Sequence, residues 1–518
     1  MPEDNEFQPK GKDMPEDNNI TKEPHFANAG NLIEDLRIEK NYDFTDYNLA
    51  KLFILNHGKD LKYIPSRKIW ATWGGEVWEI VTGSPKAYQL LMRFIEKLSI
   101  EGWTKAKELD LKDQVELIKF LRGLKNGNRA EKVLIHASRL PSVQAEMTEF
   151  DDDPWLMTVK NTTVNLKSGW GTLVKSKDRV DGLTPEFTFK RDHLITKRAD
   201  VLWNKASECP KWLDHLDLVF GGDQELIDYM QVLWGYFLIG ITDETIMPFA
   251  FGDGANGKSV CWNTIHGIMG TYSGMASADL LMPTDKPDEH RQANLFGKRA
   301  IFVGEPEDGR KIAAGKVKEL TGDESITARR LYENAFEFKP THTFFCSTNH
   351  KPRITTTDHG IWRRIKLIPF TVNIPEALKA KGREPNNKII DDLKAEWPGI
   401  FAWLVRGAKK YKNEGLVEPK AVTDATLDYR HEEDSFKEFI DECLSLAPAN
   451  QIPLADAWKL FKDMGNRMQR KTFKAKMQEV SGVTYERAKD GWFRDKMVFN
   501  GIGQPKDDNG DRKWASEE

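Results

Sequence analysis

Eight consecutive residues, Gly252-Asp253-Gly254-Ala255-Asn256-Gly257-Lys258-Ser259, complete the pattern G-x-x-x-x-G-K-[ST]. Each residue type has a task in holding a chain of phosphates. The three glycines let the backbone curl tightly and turn its N–H groups inward. Lys258 reaches the outer phosphates, Ser259 offers its hydroxyl to Mg²⁺, and a helix opening near Gly257 adds the partial positive charge of its N-terminus. The expected ligand is a nucleoside triphosphate with Mg²⁺. Such a loop must follow a strand, which the apolar segment Ile246 to Phe251 supplies; Pro248 inside it counts against a central strand, because proline donates no ladder hydrogen bond.

Three further signals follow in order. Arg299 to Glu307 reads as a short apolar strand ending in carboxylates, and Glu305, 47 residues after Lys258, is the candidate to complete the Mg²⁺ shell and orient an attacking water. Thr341 to Asn349 is another apolar run, whose terminal Asn349 is placed to touch the γ-phosphate or that water. Gly360 to Ile365 carries two adjacent guanidinium groups, Arg363 and Arg364, suited to charge spreading over a transferring phosphoryl group and, in motors, often supplied by a neighbouring subunit. Alone, each has an ordinary reading: an acidic turn, a turn-forming Asn, a surface ion pair. All lie between Gly252 and Arg364, so one α/β domain holds the set.

Other elements must frame this domain. Lys318 to Pro340 alternates on both sides of Tyr332-Glu333-Asn334 and predicts a β-hairpin. Upstream, Ile69 to Ile80 reads as strand, Gly-Gly turn and strand, while Tyr88–Leu98 and Lys112–Leu124 have helical apolar spacing. Asp151 to Asp153 read as a solvated turn before Pro154, in preference to a metal site. Glu208 to Ile241 is a helical run with Trp212, Leu216, Val219, Tyr229, Leu233 and Phe237 on one stripe. The final region fits a winged helix, with Arg470, Lys471, Lys474 and Lys476 on its recognition helix and Arg487, Lys489 and Arg494 on its wing, although periodic bases also decorate ordinary surfaces. The expected division is an acidic, disordered tail at 1–30, an α+β domain at 31–200, a helical collar at 201–241, a motor at 242–375, a helical segment at 376–430, a winged-helix-like domain at 431–503 and a tail at 504–518.

Composition sets bounds. The 518 residues are 39% hydrophobic with sixteen Trp, ample for several cores. No run approaches the roughly 20 apolar residues that cross a bilayer, so no membrane partner is expected. Cys209, Cys261, Cys346 and Cys443 are too scattered for a disulfide framework or zinc site and predict reduced thiols in a cytoplasmic setting. The formal net charge is −4. The first thirty residues hold seven acids against three bases, whereas Lys459 to Lys496 carries eleven bases against five acids, a local cationic face suited to nucleic acid.

With those residues in place, Gly252 to Phe370 resembles the motor of superfamily 3 helicases, in the phage/plasmid primase-helicase family that also includes the poxvirus primase-helicase. GDGANGKS, LTGDESITARRLY, CSTNHKP and DHGIWRRI match that family's pattern in order and spacing. The resemblance implies an AAA+-like P-loop NTPase fold, with Lys258 and Ser259 on ATP and Mg²⁺, Glu305 as the second acidic motif and Asn349 as the sensor. Arg364 would be the finger inserted into the next subunit's site, with Arg363 second choice. The hairpin would project into the channel of a ring, expected to be a hexamer, and grip single-stranded DNA through Arg330 and Tyr332. The stretch from Glu208 to Ile241 would form a collar that helps subunits assemble. The expected activity is an ATP-driven helicase on single-stranded and forked DNA for a phage or mobile element in a bacterial host cytoplasm. Only a thirty-residue tail stands where family members carry a polymerase domain, so priming is expected from a separate primase or polymerase. Two rivals remain open: a replication initiator that assembles on origin DNA without unwinding it, and a small-molecule kinase.

Overall fold

The computed structural model describes residues 37–38, 41–42, 45–124, 127–171, 188–284, 288–304, 312–322, 324–331, 334–352, 354, 359–466, 468–489 and 493–504. The chain separates into two compact units, one drawn from residues up to 72 with 80–145, the other from 73–79 with 146 onward. The first terminal tail expected from the sequence lies outside the described residues.

In the first unit, helix α1 (Asp46–His57) starts where Thr45 accepts the Asn48 N–H, the side-chain cap that a helix start requires. Strands β1 (Leu61–Ile64) and β2 (Ile69–Trp73) pair antiparallel, Leu61 opposite Thr72. Helices α2 (Pro85–Lys105), α3 (Leu111–Gly123) and α4 (Gly127–Ser138) follow. Leu49, Phe53, Leu91, Phe94, Leu98, Leu117, Leu121 and Val133 fill one core between them, and each fully buried large side chain contributes about 2 kcal/mol.

The second unit begins with a three-stranded meander, β3 (Leu156–Thr158), β4 (Thr163–Asn165) and β5 (Trp170–Gly171). Its apolar residues Met157, Val159, Val164 and Leu166 share a core with the helices and sheet that follow. Compactness therefore changes hands near 145, inside the 31–200 region read as one domain. Asp151, in the acidic triplet, is a partly buried anchor that accepts the Thr196 N–H and ion-pairs with Lys197 at 3.0 Å. The 208–241 helical run is two helices, α5 (Pro210–Val219) and α6 (Gln224–Phe237). Gly221 and Gly222 both take positive φ between them, a backbone turn that glycine makes without steric cost.

Next come β6 (Met247–Phe251), α7 (Lys258–Met269), β7 (Ser273–Ala276), β8 (Ala300–Val303), α8 (Ala314–Thr321), the hairpin strands β9 (Ile326–Arg329) and β10 (Ala335–Phe338), then β11 (Thr343–Thr348) and β12 (Ile365–Pro369). Five of these form a wholly parallel sheet in the order β7-β8-β11-β6-β12. Parallel strands buried on both faces read as continuous apolar runs, as in Ala300–Val303, where every residue is buried. β6 is central despite Pro248. The β11 ladder reaches β6 only from Phe249 onward, so Pro248 faces a neighbour on the β12 side alone.

Helix α9 (Trp397–Glu414) crosses α6 closely, because Gly235 and Gly407 leave their backbones bare at the contact. Helix α10 (Lys420–Cys443) follows. The chain closes with β13 (Ser445–Pro453), α11 (Leu454–Asp463), α12 (Arg470–Gln478), β14 (Thr484–Arg487) and β15 (Met497–Gly503), the strands forming an antiparallel sheet in the order β13-β15-β14. Among the described residues no helix is long and apolar enough to cross a membrane.

Candidate functional site

The site lies beyond the carboxyl ends of the parallel strands, where an open α/β sheet leaves its crevice. β6 runs out at Phe251, and the loop 252–257 is fastened on both sides: the Gly252 N–H donates to Thr348 at the end of β11, and the Phe370 N–H donates to Phe251. Gly252 is obligatory here, since a Cβ would stand 2.1 Å from the Phe370 carbonyl oxygen. Gly254, Ala255 and Gly257 all have positive φ, the successive left-handed turns from which backbone N–H groups make an anion-binding concavity. Asn256, almost wholly buried, donates to the Phe370 carbonyl at 3.0 Å, and the Ile374 N–H donates to Ala255. Asp253 and Ser259 are exposed, while the Lys258 side chain is buried.

Lys258 Nζ donates to the Gly252 carbonyl at 2.5 Å and to Asn349 Oδ1 at 3.0 Å. These contacts bring together the loop lysine and the polar end of β11, two residues 91 apart in sequence. Glu305 and Tyr332 lie outside the described residues.

Beneath the loop, His215 and Val219 of α5 pack against Gly257; a Cβ there would stand 2.6 Å from Val219 Cγ2. His215 is 7% exposed, its Nε2 has no hydrogen-bond partner among the described residues, and burial lowers its pKa to about 4. The spacing of this stripe predicts helix packing, and the resemblance a collar. Nothing in the spacing reveals that its last turn supports the loop.

The two arginines part company. Arg364 is 9% exposed and spends its guanidinium inside its own chain, with Nε donating to Thr321 Oγ1 at 3.0 Å and Nη1 to the Gly360 carbonyl at 2.8 Å. Arg363 is exposed. Arg364, the first choice expected from the sequence, ties the turn after Gly360 to α8, whereas Arg363 stands clear of its own chain.

The hairpin β9–β10 pairs from Ile326↔Phe338 to Arg329↔Ala335, with Arg330 and exposed Leu331 leading into its tip. Arg330 lies over two aromatic rings, 4.8 Å from the Phe336 centroid and 5.6 Å from that of Phe296. Such stacking holds the guanidinium plane in place.

In the carboxy-terminal region, Arg470 and Lys471 are exposed, and half-buried Lys474 lies 4.3 Å above the Tyr485 ring. Lys476 corrects the expectation for this helix. It turns inward and forms a buried ion pair with Glu433 of α10, because position 476 shares the helix face of Phe473 and Met477, both wholly buried. Arg487, Lys489 and Arg494 are exposed around β14 and β15.

Residues 49–221 match a family model described as "D5 N terminal like", and residues 250–364 match "Family of unknown function (DUF5906)". The chain is similar to "Putative helicase L207/L206" of Acanthamoeba polyphaga mimivirus, 33% identical over 43% of this chain and 25% of that protein. It is 28% identical to "Putative helicase 022R" of Frog virus 3, over 43% of this chain and 25% of that protein. "Putative primase C962R" of African swine fever virus is 25% identical over 40% of this chain and 23% of its own length. The chain thus matches about a quarter of the length of these relatives. A solved apo structure of the NrS-1 C-terminal region (305-718) superposes with a TM-score of 0.42 at 11% identity, covering 88% of this chain and 99% of that one.

Proposed function

The chain is a primase-helicase-family protein, and from that premise we propose that it is the ATP-hydrolysing motor of a replication helicase acting on single-stranded and forked DNA. The observation that carries this reading is the meeting of Lys258 with Asn349 at the carboxyl ends of adjacent strands β6 and β11. A lysine that reaches outer phosphates and an amide that senses the γ-phosphate must converge on one point. The sheet order, with the loop-bearing strand between β11 and β12, supports a P-loop NTPase of the AAA+ kind. Superfamily 3 membership rests on the motif resemblance and on a hairpin inserted between β8 and β11.

In this reading ATP sits on the 252–259 loop, with backbone N–H groups and Lys258 on its phosphates and the Ser259 hydroxyl and Glu305 toward Mg²⁺. Lys258 exchanges its Gly252 and Asn349 partners for phosphate oxygens. Asn349, thus released, orients the attacking water or the γ-phosphate. Arg363 from a neighbouring protomer completes the site, which requires a closed ring, read as a hexamer. Arg330, leading into the hairpin tip, grips single-stranded DNA together with Tyr332, and Arg470, Lys471 and Lys474 hold phosphates of the duplex arm. Genomes of phages, viruses or mobile elements are the setting, with any priming left to a separate domain or chain.

The test is ATP hydrolysis with and without single-stranded oligonucleotide, paired with strand displacement on a forked duplex. DNA-stimulated hydrolysis with displacement supports the reading. Stimulation without displacement favours an origin-binding initiator, for which the cationic carboxy-terminal region is the main actor. Hydrolysis indifferent to DNA removes both.

A further inference from the structure

Helix α10 belongs to two cores at once. Along its 24 residues, about 36 Å at 1.5 Å per residue, its first half packs on the parallel sheet and its second half on the carboxy-terminal region. Val422 and Tyr429 are buried with the motor, Phe436 and Phe439 with Phe461 and Phe473 of α11 and α12. Thr426 Oγ1 accepts the Leu367 N–H of edge strand β12 at 2.9 Å. Its midpoint is occupied by two adjacent carboxylates with opposite assignments. Glu432 holds Lys351 through both oxygens at 2.9 Å, two residues past Asn349. The Tyr429 hydroxyl donates to the Pro352 carbonyl on the same loop, and its ring meets Trp362, next to Arg363, edge-on at 5.2 Å. Glu433 holds Lys476 of α12 in the buried ion pair.

We propose that α10 is a lever that couples the nucleotide-sensing loop to the cationic helix α12, with Glu432 and Glu433 as positioning residues at its two grips. Neither carboxylate is among the residues proposed above to contact nucleotide or DNA. One fixes the loop that carries Asn349, and the other fixes the rotation of the helix that carries Arg470, Lys471 and Lys474. Because the two grips are consecutive residues of one continuous helix, a shift of the 349–352 loop on binding nucleotide cannot be absorbed between them and turns α12. By reciprocity, DNA held on α12 biases the loop. The inference rests on the proposed ATP and DNA sites and adds the route between them.

The measurement is the dissociation constant of the full chain for a fluorescent single-stranded 30-mer and for a forked duplex, with and without a non-hydrolysable ATP analogue. Analogue binding is titrated separately on each variant. We expect the analogue to shift DNA affinity about ten-fold in the unaltered chain, a common size for coupling between sites. Glu432→Gln and Glu433→Gln should each cut that shift below about three-fold, and the double variant no further, as for a single route. Glu433→Gln should leave analogue affinity and DNA-free hydrolysis unchanged. Because a weakened ion pair could also loosen the fold, the reversed pair Glu433→Lys with Lys476→Glu supplies the control: it should recover the shift that Glu433→Gln loses. Full coupling in both single variants, or no coupling in the unaltered chain, overturns the lever. Absence of analogue binding in the unaltered chain instead removes the proposed motor itself.

Discussion

The ammonium of Lys258 stands 3.0 Å from the side-chain oxygen of Asn349, joining the loop after β6 to the end of the adjacent strand β11. If these two groups share one phosphate, Lys258→Ala and Asn349→Ala should each lower kcat for ATP by about 100-fold, the usual loss for one well-placed polar group in a reacting site. Steady-state hydrolysis at saturating ATP measures this. Full turnover in Asn349→Ala would reduce the contact to a structural prop.

Arg363 and Arg364 should separate activity from stability. Arg364→Ala removes the buried guanidinium's hydrogen bonds to the Thr321 hydroxyl and the Gly360 carbonyl and should cost about 2–4 kcal/mol in unfolding free energy. Arg363→Ala should cost no more than about 0.5 kcal/mol, as surface changes do, yet abolish hydrolysis in the assembled protein. Mixing Arg363→Ala with Lys258→Ala protomers should restore part of it, since some interfaces then pair an intact arginine with an intact loop. Thermal unfolding and mixed-subunit hydrolysis read the two effects, and no recovery on mixing would assign the arginine to its own chain.

Two glycine replacements should move stability in opposite directions. A Cβ on Gly407 would stand 2.0 Å from the Gln231 carbonyl oxygen, backbone that cannot step aside, whereas one on Gly315 meets nothing within 4 Å. Gly407→Ala should therefore destabilise by about 3 kcal/mol and Gly315→Ala stabilise by about 0.5 kcal/mol through the unfolded chain. Denaturant midpoints compare them directly.

Two buried histidines predict an acid-sensitive fold. Desolvation lowers His215 from 6.5 to about 4 and His342 from 6.5 to about 3. Both are neutral in the folded chain while the unfolded chain takes up protons below pH 6.5, so their contribution is intact above 6.5 and is lost as pH falls. Each should remove up to about 1.4 kcal/mol per pH unit between the two pKa values. Unfolding free energy against pH should flatten in this window for His342→Gln. An unchanged slope would contradict the assignment.

On the carboxy-terminal helix, Arg470→Ala, Lys471→Ala and Lys474→Ala should weaken DNA binding about equally for all sequences and lower the steepness of its salt dependence by about one counterion each. Lys476→Ala should lower the melting temperature instead, because it leaves Glu433 buried without its cation. Titration at three salt concentrations distinguishes phosphate contacts from packing.

The legible parts were those whose physics is local. A tight strand-to-helix turn needs glycines at fixed offsets, so residues 252–259 mark one in a single line of sequence, and it lies between β6 and α7 with positive φ at Gly254 and Gly257. Helices α2 and α3 and the antiparallel pairing of β9 with β10 follow from spacing and turn residues alone. What spacing cannot express is direction around a helix end or depth beneath a sheet. Arg363 and Arg364 are chemically identical neighbours, and only the packing of α8 decides which is consumed inside the chain. Lys474 and Lys476 look alike in a basic run, but two residues along a helix turn the side chain by about 200°, taking Lys476 inward onto Glu433.

The amino-acid sequence by itself marked the glycine-rich turn at 252–259, the apolar runs that became β8 and β11, and the order of the motifs, because these depend on residue type and short-range geometry. Tertiary structure alone decided that Asn349 meets Lys258, that the α5 stripe supports Gly257, that Pro248 is tolerated in a central strand, and that α10 grips two regions through Glu432 and Glu433. Each of those outcomes depends on contacts between residues far apart in the chain, whose geometry exists only once the sheet order and the helix crossings have been set.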